Sequence, residues 1–298
     1  MSRHWPADTS FIDAIIGLDS VTCVAVVDDE LAEQGVPLTK IAFDANGTWH
    51  GGGAVEWDVI SVTRCAVPVT QYAIVGVLGR ARFIGSGSMY EEDIHDGAHS
   101  PSTMGALRDA RSINGVLYAC GMKRQVYRRA DRGSWTLLGA GFTPEPGVNG
   151  FESIDGFSDE ELYAVGWEGE IWQYDGSMWT RRDSGTNVIL IDVLCAGDAQ
   201  VYILGRGRKL IRGRGSQWEI LNIDLPVDLW SLAWFQGRLY ACSKRDIFIW
   251  KNDAFEPLVI EGDRPKTVQY LSVAEGGLCA VGPKDVFHFD GKTWTRID

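Results

Sequence analysis

Histidine is scarce in this chain, with five copies in 298 residues, and none of them falls in a catalytic or zinc-binding motif. H-E-x-x-H is absent, as are G-x-S-x-G, the phosphate-binding P-loop and the dinucleotide fingerprint. Those absences remove the motif-borne routes to metalloprotease, serine-hydrolase, nucleotide and nicotinamide chemistry, and no cofactor is expected. C-x-x-C is missing too, so the six cysteines, at 23, 65, 120, 195, 242 and 279, spell neither a zinc ribbon nor a thioredoxin-like pair. Most sit in apolar runs and read as buried, reduced thiols acting as small hydrophobes. No 18-residue apolar stretch exists, and the opening Met-Ser-Arg-His-Trp-Pro-Ala-Asp has no apolar signal core. The expectation is a cytoplasmic protein without membrane contact. Basic residues are the minority, 28 Lys and Arg against 40 Asp and Glu. The resulting net charge of −12 argues against general affinity for nucleic acid.

Glycine, by contrast, is abundant at 35 copies, and it punctuates a phrase that recurs seven times. In the clearest copy Leu162-Tyr163-Ala164-Val165-Gly166 is followed by Ile171-Trp172-Gln173-Tyr174-Asp175 and then Gly176-Ser177-Met178-Trp179-Thr180. The first run of each copy ends at Val27, Gly76, Gly121, Gly166, Gly205, Ser243 and Gly282. The closing aromatics are Trp49, Tyr90, Trp135, Trp179, Trp218, Phe255 and Trp294. Two independent series with a shared period of about forty residues, made of short strands, predict a β-propeller. Four strands, a to d, can be read per unit. Strands a and b are almost continuously apolar and c and d more polar, as at an outer edge. Asn-Gly and Asp-Gly pairs (Asn46-Gly47, Asn114-Gly115, Asp175-Gly176, Asp290-Gly291) mark the tight turns. The predicted fold is all-β, a seven-bladed β-propeller with four antiparallel strands per blade. It is expected as a single domain over 1–298, with blades near 10–50, 57–93, 104–138, 150–182, 187–221, 227–258 and 266–298. Closure is expected from blade one packing on blade seven without a swapped strand; the alternative is that residues 2–6 add to an outer strand.

In this architecture the b–c turns and d–a links share one face. The b–c tips concentrate cations: Arg80, Lys123, Arg124, Arg206, Arg208, Lys209, Lys244, Arg245 and Lys284, with Trp167 and Glu168 at the tip of blade four. The d–a links beside them are acidic, with Glu91, Glu92, Asp93, Asp96, Asp224, Asp228, Glu261 and Asp263. The a–b and c–d turns collect Asp44, Asp159, Glu160, Glu161, Asp175, Asp198, Asp253, Glu275 and Asp290. A mosaic of signs on one face suits a protein partner, so another protein docking on the b–c/d–a face is the expected ligand. The longest links, 91–103 and 139–150, lie on that same face. By itself the chain is expected to be monomeric. Aligned first strands place Arg108, Glu152, Trp230 and Gln269 at one equivalent position, with Asp192 a residue further on, as candidates for the mouth of the central channel. His95 and His99 in the acidic 91–99 loop are the sole metal-ligand candidates, and a solvated loop explains them as well. The tract 205–215, rich in Arg and Gly, looks like an RNA-binding segment in isolation; in register it is a turn, a strand and a turn.

The c–d turns carry a family resemblance. Asp290-Gly291-Lys292-Thr293-Trp294, Asp175-Gly176-Ser177-Met178-Trp179 and Asp44-Ala45-Asn46-Gly47-Thr48-Trp49 resemble the Asp-box turn, S-x-D-x-G-x-T-W, of sialidase-like and related bacterial propellers. The Asp-box serine is absent. The glycine after strand b, then Tyr-Asp, then Trp is similar to kelch repeats, with one glycine where kelch has two. Both resemblances imply the propeller fold. A sialidase would also carry an arginine triad and a Tyr–Glu nucleophile pair, which no residues here can be assigned to. The function these observations favour is a non-catalytic protein-binding scaffold, in one concrete form an immunity or antitoxin-type protein that caps a toxin domain. The alternatives are a hydrolase or lyase using the channel mouth, and a structural module of a larger assembly.

Overall fold

A computed structural model describes residues 5–17, 21–142, 150–274 and 277–298. The Leu-Tyr-Ala-Val-Gly runs form strand b of seven antiparallel four-stranded sheets, each made of consecutive strands. Blade four, for example, runs Phe151–Ser158, Glu161–Gly166, Ile171–Tyr174 and Trp179–Arg182. The chain is therefore all-β, a seven-bladed β-propeller. Among the described residues, two short α-helices, Asp29–Glu33 and Pro101–Met104, and a 3-10 turn at Trp167–Gly169 decorate its loops. The first is the b–c excursion of blade one, capped by Asp28, whose carboxylate accepts from the Glu30 and Leu31 N–H groups.

By its contacts the chain divides into two units. Met1–Val62 with Leu229–Asp298 holds blades one, six and seven; Thr63–Asp228 holds blades three to five and nearly all of blade two.

The repeated residues have separate physical jobs. Glycine ends strand b because the backbone entering strand a passes too close for a side chain. A Cβ at Gly166 would collide with the Gly150 carbonyl, and one at Gly121 with the Ala106 carbonyl. The closing aromatic seals the blade. Trp179 is fully buried against Tyr174, Phe151 and Phe142, and its indole N–H donates to the Leu138 carbonyl at 2.9 Å. Burying roughly 200 Å² of indole contributes about 5 kcal/mol. The turn pairs divide into two kinds. Asn46-Gly47 and Asn114-Gly115 have both residues at positive φ, the I′ hairpin geometry. In Asp175-Gly176 and Asp290-Gly291 only the glycine is left-handed. The aspartate instead accepts two backbone N–H groups, from Ser177 and Met178 or from Lys292 and Thr293. Those bonds hold the Asp175 carboxyl at about 2.

Within the first unit, among the described residues, blades one and seven meet without exchanging a strand. Phe11, Ile16, Val24 and Val26 of blade one pack on Cys279, Val281 and Val286 of blade seven. Polar bonds fix the register. The Phe11 N–H donates to the Pro283 carbonyl at 3.0 Å, and the Ser272 hydroxyl to the Ala14 carbonyl at 2.8 Å. The Lys284 ammonium donates to the Thr9 carbonyl at 2.7 Å, the Ala7 carbonyl at 3.1 Å and the Asp29 carboxylate. Trp5 stands edge-on to Phe11 and Trp49, covering blade one. Residues 2–4 of the alternative closure lie outside the described residues.

Burial pushes the Asp29 carboxyl up, but the Lys284 ammonium and the Ser10 hydroxyl outweigh it and hold it below the usual range. A carboxyl lowered in the folded state contributes stability above the unfolded value of about 3.9, lost as pH falls through the folded one. Replacing Lys284 with Met is expected to cost about 1–3 kcal/mol at neutral pH. It should also flatten the acid limb of the stability profile below about pH 4. Urea unfolding across pH checks both, and an unshifted midpoint would show that the clamp does not hold blade one to blade seven.

Candidate functional site

The expected docking cations divide into two classes. In the unit Thr63–Asp228, Lys123, Arg206 and Arg208 are exposed and Lys209 is half-buried. Arg80 is half-exposed but paired within its own blade, to Glu91 at 2.7 Å and Asp93 at 3.4 Å. Arg124 is 5 % exposed. Lys123 and Arg124 both take left-handed φ, 58° and 55°, and the tight tip turns the second side chain inward. There its Nε lies 2.6 Å from Glu170 Oε2, and its guanidinium sits over the Trp172 ring at 5.2 Å. In the other unit Lys284 is the clamp described above. Arg124 and Lys284 are thus corrected from docking tips to ties between neighbouring blades, because a carboxylate of the adjoining blade lies within reach of each.

Further ties join acids named in the sequence to cations the sequence did not single out, Arg128, Arg129 and Arg214. Glu92 accepts from Arg129 Nε at 2.7 Å, the Gly133 N–H at 2.8 Å and the Trp135 indole at 2.9 Å. Arg129 is buried over the Phe83 ring at 3.9 Å. Arg214 forks onto Glu161 at 2.8 and 2.6 Å, and Arg128 reaches Asp159 at 2.7 Å. Much of the acidity assigned to the turns and links is engaged in this way.

The channel-mouth candidates separate as well. Trp167 is half-buried and donates its indole N–H to Glu152 at 2.6 Å; Arg108 stands 3.6 Å from the same carboxylate. Exposed Glu168 lies beside them. Asp192 is buried in a different group centred on Arg111, which lies 3.0 Å from Asp192, 3.6 Å from Asp109 and 3.7 Å from Asp155. Ser153 donates between Asp109 and Asp192. Only one position per first strand was compared in the sequence; the period-two pairs Asp109/Arg111 and Ser153/Asp155 carried the missing signal. Burial opposes the Arg111 charge, but the three carboxylates outweigh it and raise its pKa. Burial pushes Asp155 up to about 6 against the pull of Arg111. A raised carboxyl beside an arginine can mark catalysis. Here the carboxylates are occupied in holding backbone: Asp109 accepts from the Ile154 N–H at 3.1 Å and Asp155 from the Cys195 N–H at 2.7 Å. These bonds lace one first strand to the next.

In the unit of blades one, six and seven, Trp230 lies under the Lys244 ammonium at 5.2 Å, and Gln269 donates to the Tyr270 hydroxyl at 3.2 Å. Gln269 lines an open groove of about 1000 Å³ between the blade-six tip and the link to blade seven. Lys244 and Arg245 line it from the tip, and Arg264 and Lys266 from the link. The last two were missed because the links were read for acids alone. His95 and His99 are exposed. Among the described residues no group of three or more His, Cys, Asp or Glu could hold a metal ion. Most of the 139–150 link lies outside the described residues.

No family model matches the chain. The immune protein Tsi7 of Pseudomonas aeruginosa is 40 % identical over 297 residues, which cover 97 % of this chain and 97 % of that protein. The chain belongs to the Tsi7 family of immune proteins. Among solved structures, virginiamycin B lyase from Staphylococcus aureus matches with a TM-score of 0.71 at 12 % identity, over 94 % of each chain. YCF48 bound to D1 peptide matches with 0.69 at 14 %, over 95 % of this chain and 92 % of that one. At such identities the likeness is one of fold. The Asp-box and kelch resemblances find no specific counterpart beyond it.

Two outcomes follow for a Tsi7-family chain built this way. Arg124→Met leaves Glu170 buried without its cation and should cost about 3–5 kcal/mol, whereas Arg206→Glu on the exposed tip should stay within about 0.5 kcal/mol. Thermal melts of the pair decide it; equal melting points would refute the assignment of Arg124 as a tie. For Asp155 the folded pKa is raised, so the native state binds the extra proton between about pH 4 and 6 and wild-type stability falls as pH rises through that window. Asp155→Asn should gain on wild type across it by on the order of 2–3 kcal/mol. Parallel stability–pH curves would rule this out.

Proposed function

We propose that this chain is an immunity protein that neutralises a toxin domain in the bacterial cytoplasm by binding it one to one, without chemistry. Membership of the Tsi7 family across 97 % of the chain carries the reading. The bonding of the polar first-strand residues supports it. Asp192, Asp155 and Asp109 are engaged in lacing strands, and Glu152 in holding Trp167, so the candidates for a hydrolase or lyase site have structural duties. For docking we favour the b–c/d–a side, where Lys123, Arg206, Arg208 and Lys209 remain in the unit Thr63–Asp228, and Lys244 and Arg245 in the other unit. None of them makes an ion pair among the described residues. YCF48, solved with D1 peptide, offers a precedent for a peptide partner on this fold. Six free thiols, five of them buried, fit a reducing compartment.

The test is co-expression with toxin domains encoded in the chain's own genomic neighbourhood. One of them should be lethal alone and harmless with the chain present. Purified, its inhibition should titrate to completion at one equivalent. Protection at a small fraction of an equivalent would point to an enzyme, and protection against none of them would overturn the reading.

A further inference from the structure

The groove between blades six and seven is left positive by the way neighbouring acids are consumed. Asp263 sits on the same link but bonds Arg296 at 2.7 Å. Asp285 is fully buried, taking Arg296 at 2.8 Å, the Lys266 and Thr267 N–H groups and the Thr267 hydroxyl. Glu261, exposed on the link, does not line the groove. What remains in the lining is Lys244, Arg245, Arg264 and Lys266, all exposed, against one carboxylate, Asp246. None of the four cations makes an ion pair among the described residues, although the chain as a whole carries −12. Elsewhere in the fold most arginines are paired.

The same groove presents an apolar point. Val259 is 86 % exposed, the most exposed large hydrophobic residue described. Its neighbours Leu258 and Ile260 pack into the core of blades six and seven and hold it outward. Pro257, Pro265 and Pro283 line the groove and stiffen its walls, so little order has to be gained on binding.

We infer that this groove is the seat of an acidic segment of the toxin, one that sets carboxylates around an aliphatic side chain which packs on Val259. The inference rests on the immunity reading and adds the place and the chemistry of the contact. Protein fits better than nucleic acid: the lining contains no aromatic side chain on which a base could stack, and the overall negative charge repels a polyphosphate at long range.

The experiment measures Kd for the full chain and the toxin domain identified by growth rescue. Lys244→Glu with Arg264→Glu should weaken binding about 100-fold, and Val259→Asp about 10-fold, with melting temperatures unchanged. Lys292→Glu, at the exposed c–d turn of blade seven, is the control and should change Kd by less than about threefold. Wild-type affinity in the double reversal would overturn the groove assignment while leaving the immunity reading standing. Failure of the wild-type chain to bind the toxin would overturn both. Binding of a 20-base-pair DNA duplex (probe length about two helical turns) at physiological salt, lost in the same double reversal, would reassign the groove to nucleic acid.

Discussion

The structure depends on side chains that reach from one blade into the next and satisfy a polar group there. Apolar faces of neighbouring sheets attract each other without direction, so packing alone leaves their mutual position loosely determined. Directional bonds supply what packing lacks. Arg129 on Glu92, Arg124 on Glu170, Arg214 on Glu161 and Lys284 on Asp29 each join side chains of adjacent blades. On the first strands, Asp109 and Asp155 accept backbone N–H groups of the following blade. Taking such charges out of water is costly, and pairing roughly restores the balance. Their value is therefore in specifying position; net stability comes from the strand-b core and the closing aromatics.

This constraint also shapes the surface. Acids outnumber cations, yet many are drawn inward or into turns: Glu92, Glu170 and Asp285 into buried pairs, Asp175 and Asp290 into turn caps. Cations at some tips are likewise used up. The remainder is uneven. A chain of −12 therefore presents a local basic groove where Asp263 and Asp285 have been claimed by Arg296. On the reading proposed above, a partner docks against that local remainder, and the formal total describes only the long-range field.

The blades were legible from the chain because each signal is local and periodic. Gly166 and Gly121 mark where two backbones crowd, Trp179 marks where a blade is sealed, and Asn114-Gly115 spells a hairpin within two residues. The fate of the tip cations was legible only in outline. Arg124 looked like one more exposed tip cation because Glu170 stands 46 residues away, and nothing within the tip announces it. Arg111 had a local signal in its period-two pairing with Asp109, but the Asp192 that engages it is 81 residues distant and meets it only in the folded chain. Arg264 and Lys266 became visible as part of a basic wall only once the link bearing them lay beside the blade-six tip.

What the amino-acid order settled by itself was the number and kind of blades, since short apolar runs, tight turns and close backbone approaches are all decided within about forty residues. Tertiary structure alone decided which charges are tied to a neighbouring blade and which stay exposed. The fate of a lysine or arginine turns on whether a carboxylate from a neighbouring blade comes within about 3 Å of it, and that distance exists only after the blades have packed.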